Sequence, residues 1–159
     1  MHPCICIMDG NLHKYVEVHE YYIQHTQMLK WFSFRKQKKV NFEYVLDAIQ
    51  RPADFLLLNT LPANEQECLI VNTLSMDAEE KIINEWLNKY QEKIRTIVIY
   101  GKNAADTTAE TKQEQLLKLG ISESVVYAGG MFEWMLLQDI YGEKEFPTTK
   151  KVVDILKFK

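Results

Sequence analysis

The sequence predicts a single α/β domain in which a parallel β-sheet is covered by helices on both faces. The first observation is that short apolar runs rich in β-branched residues alternate with segments of helical periodicity. The second is the length of 159 residues, which suits one domain with a full core but not two of usual size. The third is the composition, 47% hydrophobic and 26% charged, which lies near the average of globular proteins.

The chain is predicted to consist of an N-terminal helical extension, residues 1–36, that packs on a domain formed by residues 37–159. In the extension, apolar residues recur at steps of three, four and seven, as in a long amphipathic helix, while the alternation around Val16 and Val18 also permits a short strand. Residues 30–39 combine aromatic side chains with an excess of lysine and arginine, which fits nucleic-acid or anionic membrane binding as well as an amphipathic helix. We favour the amphipathic helix, because basic residues commonly form its solvated face.

The first half of the domain is expected to begin with a short edge strand at Lys39–Asn41 and a brief helix from Phe42 to Ile49. The apolar run Phe55–Leu58 predicts a strand that is buried on both faces. A second apolar run, Cys68–Val71, contains the thiol of Cys68, which we expect to be a small buried hydrophobe.

A helix is predicted from Asp77 onward, because Asp77 and Glu80 have the spacing of a capping box. Its apolar stripe consists of Ile82, Ile83, Trp86, Leu87 and Tyr90. Residues Ile94–Tyr100 are rich in β-branched side chains and predict the central strand of the sheet.

The second half of the domain continues with a helix from a capping box at Thr107 and Glu110 to Leu119, where Gly120 suits a left-handed helix end. A strand at Val125–Tyr127 and a helix at Met131–Tyr141, which Gly142 ends, follow. The residues expected on the buried side of that last helix are Trp134, Leu137, Ile140 and Tyr141. The final segment, Thr149–Leu156, is expected to cover one face of the sheet with Val152, Val153 and Leu156.

The candidate site is the polar loop that follows Tyr100, because ligands of parallel sheets usually bind beyond the carboxyl ends of the strands. The first N–H groups of the next helix point back into this loop. Its residues are Gly101, Lys102, Asn103, Ala104, Ala105, Asp106 and Thr107.

Three stretches of the chain resemble the rhodanese-like domain family. The most specific is residues 125–134, VVYAGGMFEW, in which a short strand is followed by a double glycine and a tryptophan on the next helix. Residues 54–60 are similar to the family's early strand, and residues 96–100 to the strand that leads into its active-site loop. The resemblance implies a rhodanese-like fold with Gly129, Gly130 and Trp134 as the family motif.

An active member of that family carries a cysteine directly after this strand, in a six-residue loop that often ends in arginine. Here Gly101 and Asp106 occupy those two positions. Sulfur transfer needs a thiolate that attacks sulfane sulfur and carries it as a persulfide, and glycine has no side chain for this step. The resemblance therefore implies no catalytic residue and an inactive sulfurtransferase fold that binds a protein or a small anion at residues 101–107.

Asp106 is expected to interact favourably with the N-terminus of the following helix. The family's early strand often ends in Asp-Val-Arg, and the matching residues here are Asn59-Thr60-Leu61. A charged pair that supports the site is therefore expected to be missing.

Two other functions stay open at this point. One is sulfur transfer by a cysteine from elsewhere, with Cys68, Cys4 and Cys6 as candidates, and the other is nucleic-acid or membrane binding by residues 30–39. No cofactor or metal is predicted, since three histidines spaced six apart would point in three directions around a helix. No apolar run approaches the length of a membrane span and Met1–Asp9 lacks a secretory signal, so we expect a cytoplasmic protein. The sequence specifies neither partner nor oligomeric state.

Overall fold

A computed structural model describes residues 38–88 and 95–159 of the chain. The predicted N-terminal extension, Cys4, Cys6, the three spaced histidines and most of the basic stretch 30–39 lie outside the described residues. The predictions for those segments therefore stay predictions.

Within the described residues, four parallel strands form one sheet. They are β1 (Lys39–Val40), β2 (Phe55–Asn59), β3 (Thr96–Tyr100) and β4 (Ser124–Tyr127), in the order β1-β4-β3-β2. The predicted central strand is confirmed, because β3 is hydrogen-bonded to a strand on each side. The outer edge of β2 is partly covered, since the N–H of Leu74 donates to the carbonyl of Leu57 at 2.9 Å.

In the same part of the chain, four α-helices connect and cover the strands. They are α1 (Phe42–Gln50), α2 (Met76–Asn88), α3 (Thr108–Lys118) and α4 (Gly130–Tyr141). Of the two short 3₁₀ turns in the described residues, Ala63–Glu65 lies between β2 and α2, and Ile155–Phe158 follows α4. The predicted α/β class is therefore confirmed.

The two faces of the sheet pack against different helices. Because side chains alternate along a strand, Val98 and Tyr100 of β3 point to one face, while Ile97 and Ile99 point to the other. The first pair packs with residues of α1 and α4, and the second pair packs with residues of α2 and α3. Helices thus cover both faces, as the alternation of elements predicts.

Both predicted capping boxes are wrong in detail. Helix α2 begins one residue before Asp77, and the hydroxyl of Ser75 accepts a hydrogen bond from the N–H of Ala78 at 3.3 Å. Helix α3 begins at Thr108, and Thr107 makes no side-chain bond to its N-terminus. The carboxylate of Asp106 takes that role, while Glu110 pairs with Lys39 at 2.8 Å.

Four apolar residues expected in the core are instead exposed. Helix α4 has 12 residues and β4 has four, or about 18 Å against about 13 Å, so the helix extends past the strand. Ile140 and Tyr141, at the end of this helix, are 69% and 63% exposed. In the final segment Val153 and Leu156 are exposed, while Phe158 is fully buried and covers the sheet instead.

No helix within residues 38–88 and 95–159 is long and apolar enough to cross a membrane.

Candidate functional site

The loop of residues 101–107 lies at the carboxyl end of β3, next to the residue that follows β2. The N–H of Thr60 donates to the carbonyl of Tyr100 at 3.0 Å, which brings the end of β2 against the start of the loop. Gly101 is buried, whereas Ala104, Ala105 and Thr107 are exposed. The loop therefore presents mainly small, uncharged residues on its outer side.

Asp106 folds its side chain back into the loop. One carboxylate oxygen accepts a hydrogen bond from the N–H of Lys102 at 2.8 Å, and the other accepts from the N–H of Thr108 at 2.9 Å. Burial by itself would raise the pKa of Asp106, but these N–H groups and the Thr108 hydroxyl bond the carboxylate and hold its pKa below the usual value. Asp106 is therefore an anion at neutral pH, as the expected interaction with the helix N-terminus requires.

Asn103 satisfies further loop donors. Its side-chain oxygen accepts from the N–H of Ala105 at 2.9 Å and from the N–H of Asp106 at 3.1 Å. Its amide nitrogen donates to the carbonyl of Phe158 at 3.1 Å, which ties the loop to the C-terminal segment. The N–H groups of residues 102, 105, 106 and 108 thus all donate to side chains of the loop itself.

Gly101 is closely covered by the same aspartate. A Cβ atom added at residue 101 would lie 2.5 Å from the Oδ2 atom of Asp106 and 3.2 Å from the hydroxyl of Thr108. The first distance is shorter than any normal contact of carbon with oxygen. A side chain at residue 101 cannot fit while the carboxylate stays in place.

Lys102 forms an ion pair with a residue that sequence reasoning missed. Its Nζ lies 3.0 Å from the Oε1 atom of Glu65, and both side chains are about three-quarters buried. Glu65 belongs to the first 3₁₀ turn and is 37 positions away along the chain, so no local pattern indicates the pair. The cation of the loop is therefore already neutralised.

Thr60 is a second residue of the site whose role the sequence did not reveal. Its hydroxyl lies 2.6 Å from that of Thr108, at the start of α3. It falls in the Asn59-Thr60-Leu61 segment, where the family often carries charged residues. Two neutral hydroxyls meet here beside the position of Gly101.

The double glycine, Gly129 and Gly130, brings the start of α4 against the loop. Gly130 has a φ of +62°, and a Cβ there would lie 2.8 Å from both the nitrogen of Asn103 and the carbonyl oxygen of Gly101. The N–H of Met131 donates to the carbonyl of Gly101 at 3.0 Å. Only glycine allows this approach of two backbones.

Trp134, the third residue of the predicted family motif, lies in the core rather than in the loop. It is fully buried, and its indole N–H donates to the carbonyl of Pro147 at 3.3 Å. It packs edge-on against Tyr127 and Phe146. Its role in this structure is to anchor α4.

Cys68, a candidate for alternative sulfur chemistry, is fully buried. Its thiol donates to the carbonyl of Lys150 at 2.9 Å, and burial raises the pKa of the thiol. The expectation of a small buried hydrophobe is confirmed. Among residues 38–88 and 95–159, no group of three or more histidine, cysteine, aspartate or glutamate side chains is placed to hold a metal ion.

A cleft of about 640 Å³ opens beside the loop, between α2 and α3. Thr60 and Thr108 line it where it meets the loop, and Met76 and Leu119, which are 65% and 50% exposed, lie along it. The cleft thus places the exposed apolar side chains of Met76 and Leu119 beside the charged side chains of Glu79, Glu80 and Lys112.

Solved structures with a similar fold come from several bacteria. A full-length protein from Lactobacillus plantarum superposes with a TM-score of 0.52 at 18% identity, over 87% of this chain and 98% of its own. The BH2092 protein from Bacillus halodurans gives 0.50 at 17% identity, over 78% and 82%. The Alr3790 protein from Anabaena sp. gives 0.50 at 19% identity, over 74% and 97%. At these identities the likeness concerns the fold alone, and no curated protein sequence gives a significant match.

The fold and the loop define a parallel α/β domain with its candidate site after the central strand. The sequence model of the rhodanese-like domain family matches residues 42–137, which is more than half of the chain. The chain belongs to the rhodanese-like domain family.

Proposed function

We propose that this protein is a non-catalytic rhodanese-like module that binds another protein through the face carrying residues 101–107. The observation that carries the proposal is that Asp106 and Asn103 already bond the N–H groups of residues 102, 105, 106 and 108. An external anion would have to displace the Asp106 carboxylate or the Asn103 amide oxygen from these four donors. This favours a protein over a small anion as the partner.

The proposed binding face also has suitable surface chemistry. Its exposed loop residues, Ala104, Ala105 and Thr107, carry no charge, and Lys102 is held by Glu65. The adjacent cleft adds the exposed side chains of Met76 and Leu119. Apolar area bordered by polar groups is typical of protein interaction sites.

The absence of sulfur transfer is tested with thiosulfate and cyanide as substrates. We expect the purified full-length protein to form no thiocyanate above the uncatalysed background, because residue 101 offers no thiolate. An active single-domain sulfurtransferase serves as the positive control. Clear turnover by this protein would overturn the proposal.

The binding face is tested with a charge placed on the loop. A protein that binds specifically to the wild type should no longer bind to the Ala105→Glu variant. It should bind unchanged to the Val153→Glu variant, whose substituted residue is 93% exposed. In parallel, thiosulfate and inorganic phosphate are titrated while the loop amides are followed by NMR. Saturable shifts of those amides would favour the anion over the protein.

Sulfur transfer by another cysteine stays an alternative prediction. The burial of Cys68 and the raised pKa of its thiol weigh against it, because the thiolate is the reactive form. Cys4 and Cys6 lie outside the described residues. A persulfide on any of the three cysteines after thiosulfate treatment, detected by mass spectrometry, would favour this alternative.

Nucleic-acid or membrane binding by residues 30–39 also stays a prediction, as does the cytoplasmic location. Of that stretch, the structure describes only Lys38 and Lys39, and Lys39 pairs with Glu110. Salt-dependent retardation by RNA or DNA, or sedimentation with anionic vesicles, would support binding by this stretch.

A further inference from the structure

The two positions at which the loop departs from the family pattern, residues 101 and 106, are in direct steric contact. The backbone does not require glycine at residue 101, because among the described residues the glycines with positive φ are Gly120, Gly130 and Gly142, and Gly101 is not one of them. The nearest obstacle to a side chain there is the Oδ2 atom of Asp106, at 2.5 Å from an added Cβ. The need for glycine therefore comes from the aspartate.

The carboxylate has little freedom to move away. Its Oδ2 atom, the one that covers Gly101, is also the acceptor for the N–H of Lys102, and Oδ1 is held by the N–H of Thr108. Rotating the carboxylate to admit a side chain at residue 101 would break the first bond and strain the second. A partly buried N–H without a partner costs free energy.

We propose that Gly101 and Asp106 form a coupled pair, in which the Asp106 carboxylate occupies the space that a side chain at residue 101, the position of the missing nucleophile, would need. The two departures from the family pattern are then one change: a cysteine cannot be accommodated at residue 101 unless the aspartate is also replaced. The proposal deepens the proposed function and rests on it only in taking Gly101 as the nucleophile position.

The proposal is tested by a double-mutant cycle in the full-length protein. Gly101→Ala, which adds only a Cβ, should lower Tm by on the order of 10 °C in the wild type, because overpacking and a lost hydrogen bond add together. Asp106→Ala alone should lower Tm by about 4 °C, the loss expected for a helix cap. In the Asp106→Ala background, adding Gly101→Ala should lower Tm by no more than about 2 °C.

A matched control separates this coupling from a general effect of charge. Asp77→Ala removes an exposed carboxylate from the first turn of α2. Gly101→Ala should therefore lower Tm by the same amount in that background as in the wild type. If Gly101→Ala does not fold, recovery of a folded protein on adding Asp106→Ala supports the proposal. Failure of both to fold, or additive Tm shifts in the cycle, would overturn it.

The cycle measures stability rather than sulfur transfer. Additive shifts with no thiocyanate formation would overturn the coupling but leave the proposed lack of activity intact. Coupled Tm shifts together with thiocyanate formation by the wild type would support the coupling but overturn the proposed lack of activity. The two proposals therefore fail in distinguishable ways.

Discussion

The loop after β3 and the turn after β4 lie at the carboxyl ends of neighbouring strands, yet they relate differently to the family pattern. The turn has the double glycine of the family pattern. A Cβ atom added at Gly130 would lie 2.8 Å from backbone atoms of the loop. The loop carries Gly101 and Asp106 where the resemblance implies a cysteine and often an arginine, and the atom that crowds Gly101 belongs to a side chain. A glycine required by a neighbouring backbone has no substitute, whereas one required by a side chain can change together with that side chain.

The largest expected effect is that of Gly130→Ala. A left-handed residue other than glycine costs about 1–2 kcal/mol, and overpacking against fixed backbone adds about 1–3 kcal/mol, so we expect the free energy of unfolding to fall by about 3 kcal/mol. Urea denaturation measures the change. Gly120→Ala is the matched control, since its φ is +88° but nothing lies within 4 Å of the added Cβ. Equal losses in the two variants would contradict the explanation by backbone contact.

A smaller loss is expected for Trp134→Phe. The variant removes part of a fully buried ring and the indole donor to the carbonyl of Pro147, which keeps the N–H of Val71, so the cost of about 2 kcal/mol should come mainly from the smaller ring. Trp86→Phe, at a partly exposed position of α2, is expected to cost less. Because Trp134 anchors α4 without bonding to the loop, hydrogen exchange of the Ala105 and Asp106 amides should be the same as in the wild type.

The elements of this comparison differ in how far the sequence predicts them. Strand β3 and the helix end at Gly120 were predictable, because β-branched composition and a glycine after a periodic segment are local signals. The cap of α3 was not, since Asp106 and Thr107 are both good capping residues and the path of the loop decides which one reaches the N–H groups.

The contacts that close the site depend on residues far apart in the sequence. The pair of Lys102 with Glu65 spans 37 positions, and the bond from Asn103 to the carbonyl of Phe158 spans 55. Their formation depends on the tertiary packing of the connections rather than on a local period. The sequence shows that the loop contains no cysteine. It does not show that the carboxylate of Asp106 occupies the space beside Gly101.

For the loop itself, Asp106→Asn should lower the free energy of unfolding by about 1 kcal/mol at neutral pH, because the amide has no charge beside the N-terminus of α3 and only one acceptor oxygen for the two N–H groups that the carboxylate bonds. The folded-state pKa of Asp106 lies below its usual value, so the carboxylate stabilises the protein above the unfolded-state pKa. That contribution is lost as the pH falls through the depressed pKa. Urea titrations of both proteins should therefore give converging stabilities at acid pH, and a difference independent of pH would contradict the assignment.

The smallest expected effect concerns the ion pair beside the loop. In a double-mutant cycle of Lys102→Gln and Glu65→Gln, we expect a coupling free energy of about 0.5–1 kcal/mol, because partly exposed pairs are weakened by solvent. The cycle of Lys39→Gln and Glu110→Gln, a pair outside the loop, is the control. Added salt should reduce the coupling in both cycles, and more strongly for Lys39, whose side chain is 51% exposed against 28% for Lys102. A coupling near zero at residues 65 and 102 would mean that Lys102 remains available to an anionic group on a partner, and the loop would then be less closed than its hydrogen bonds indicate.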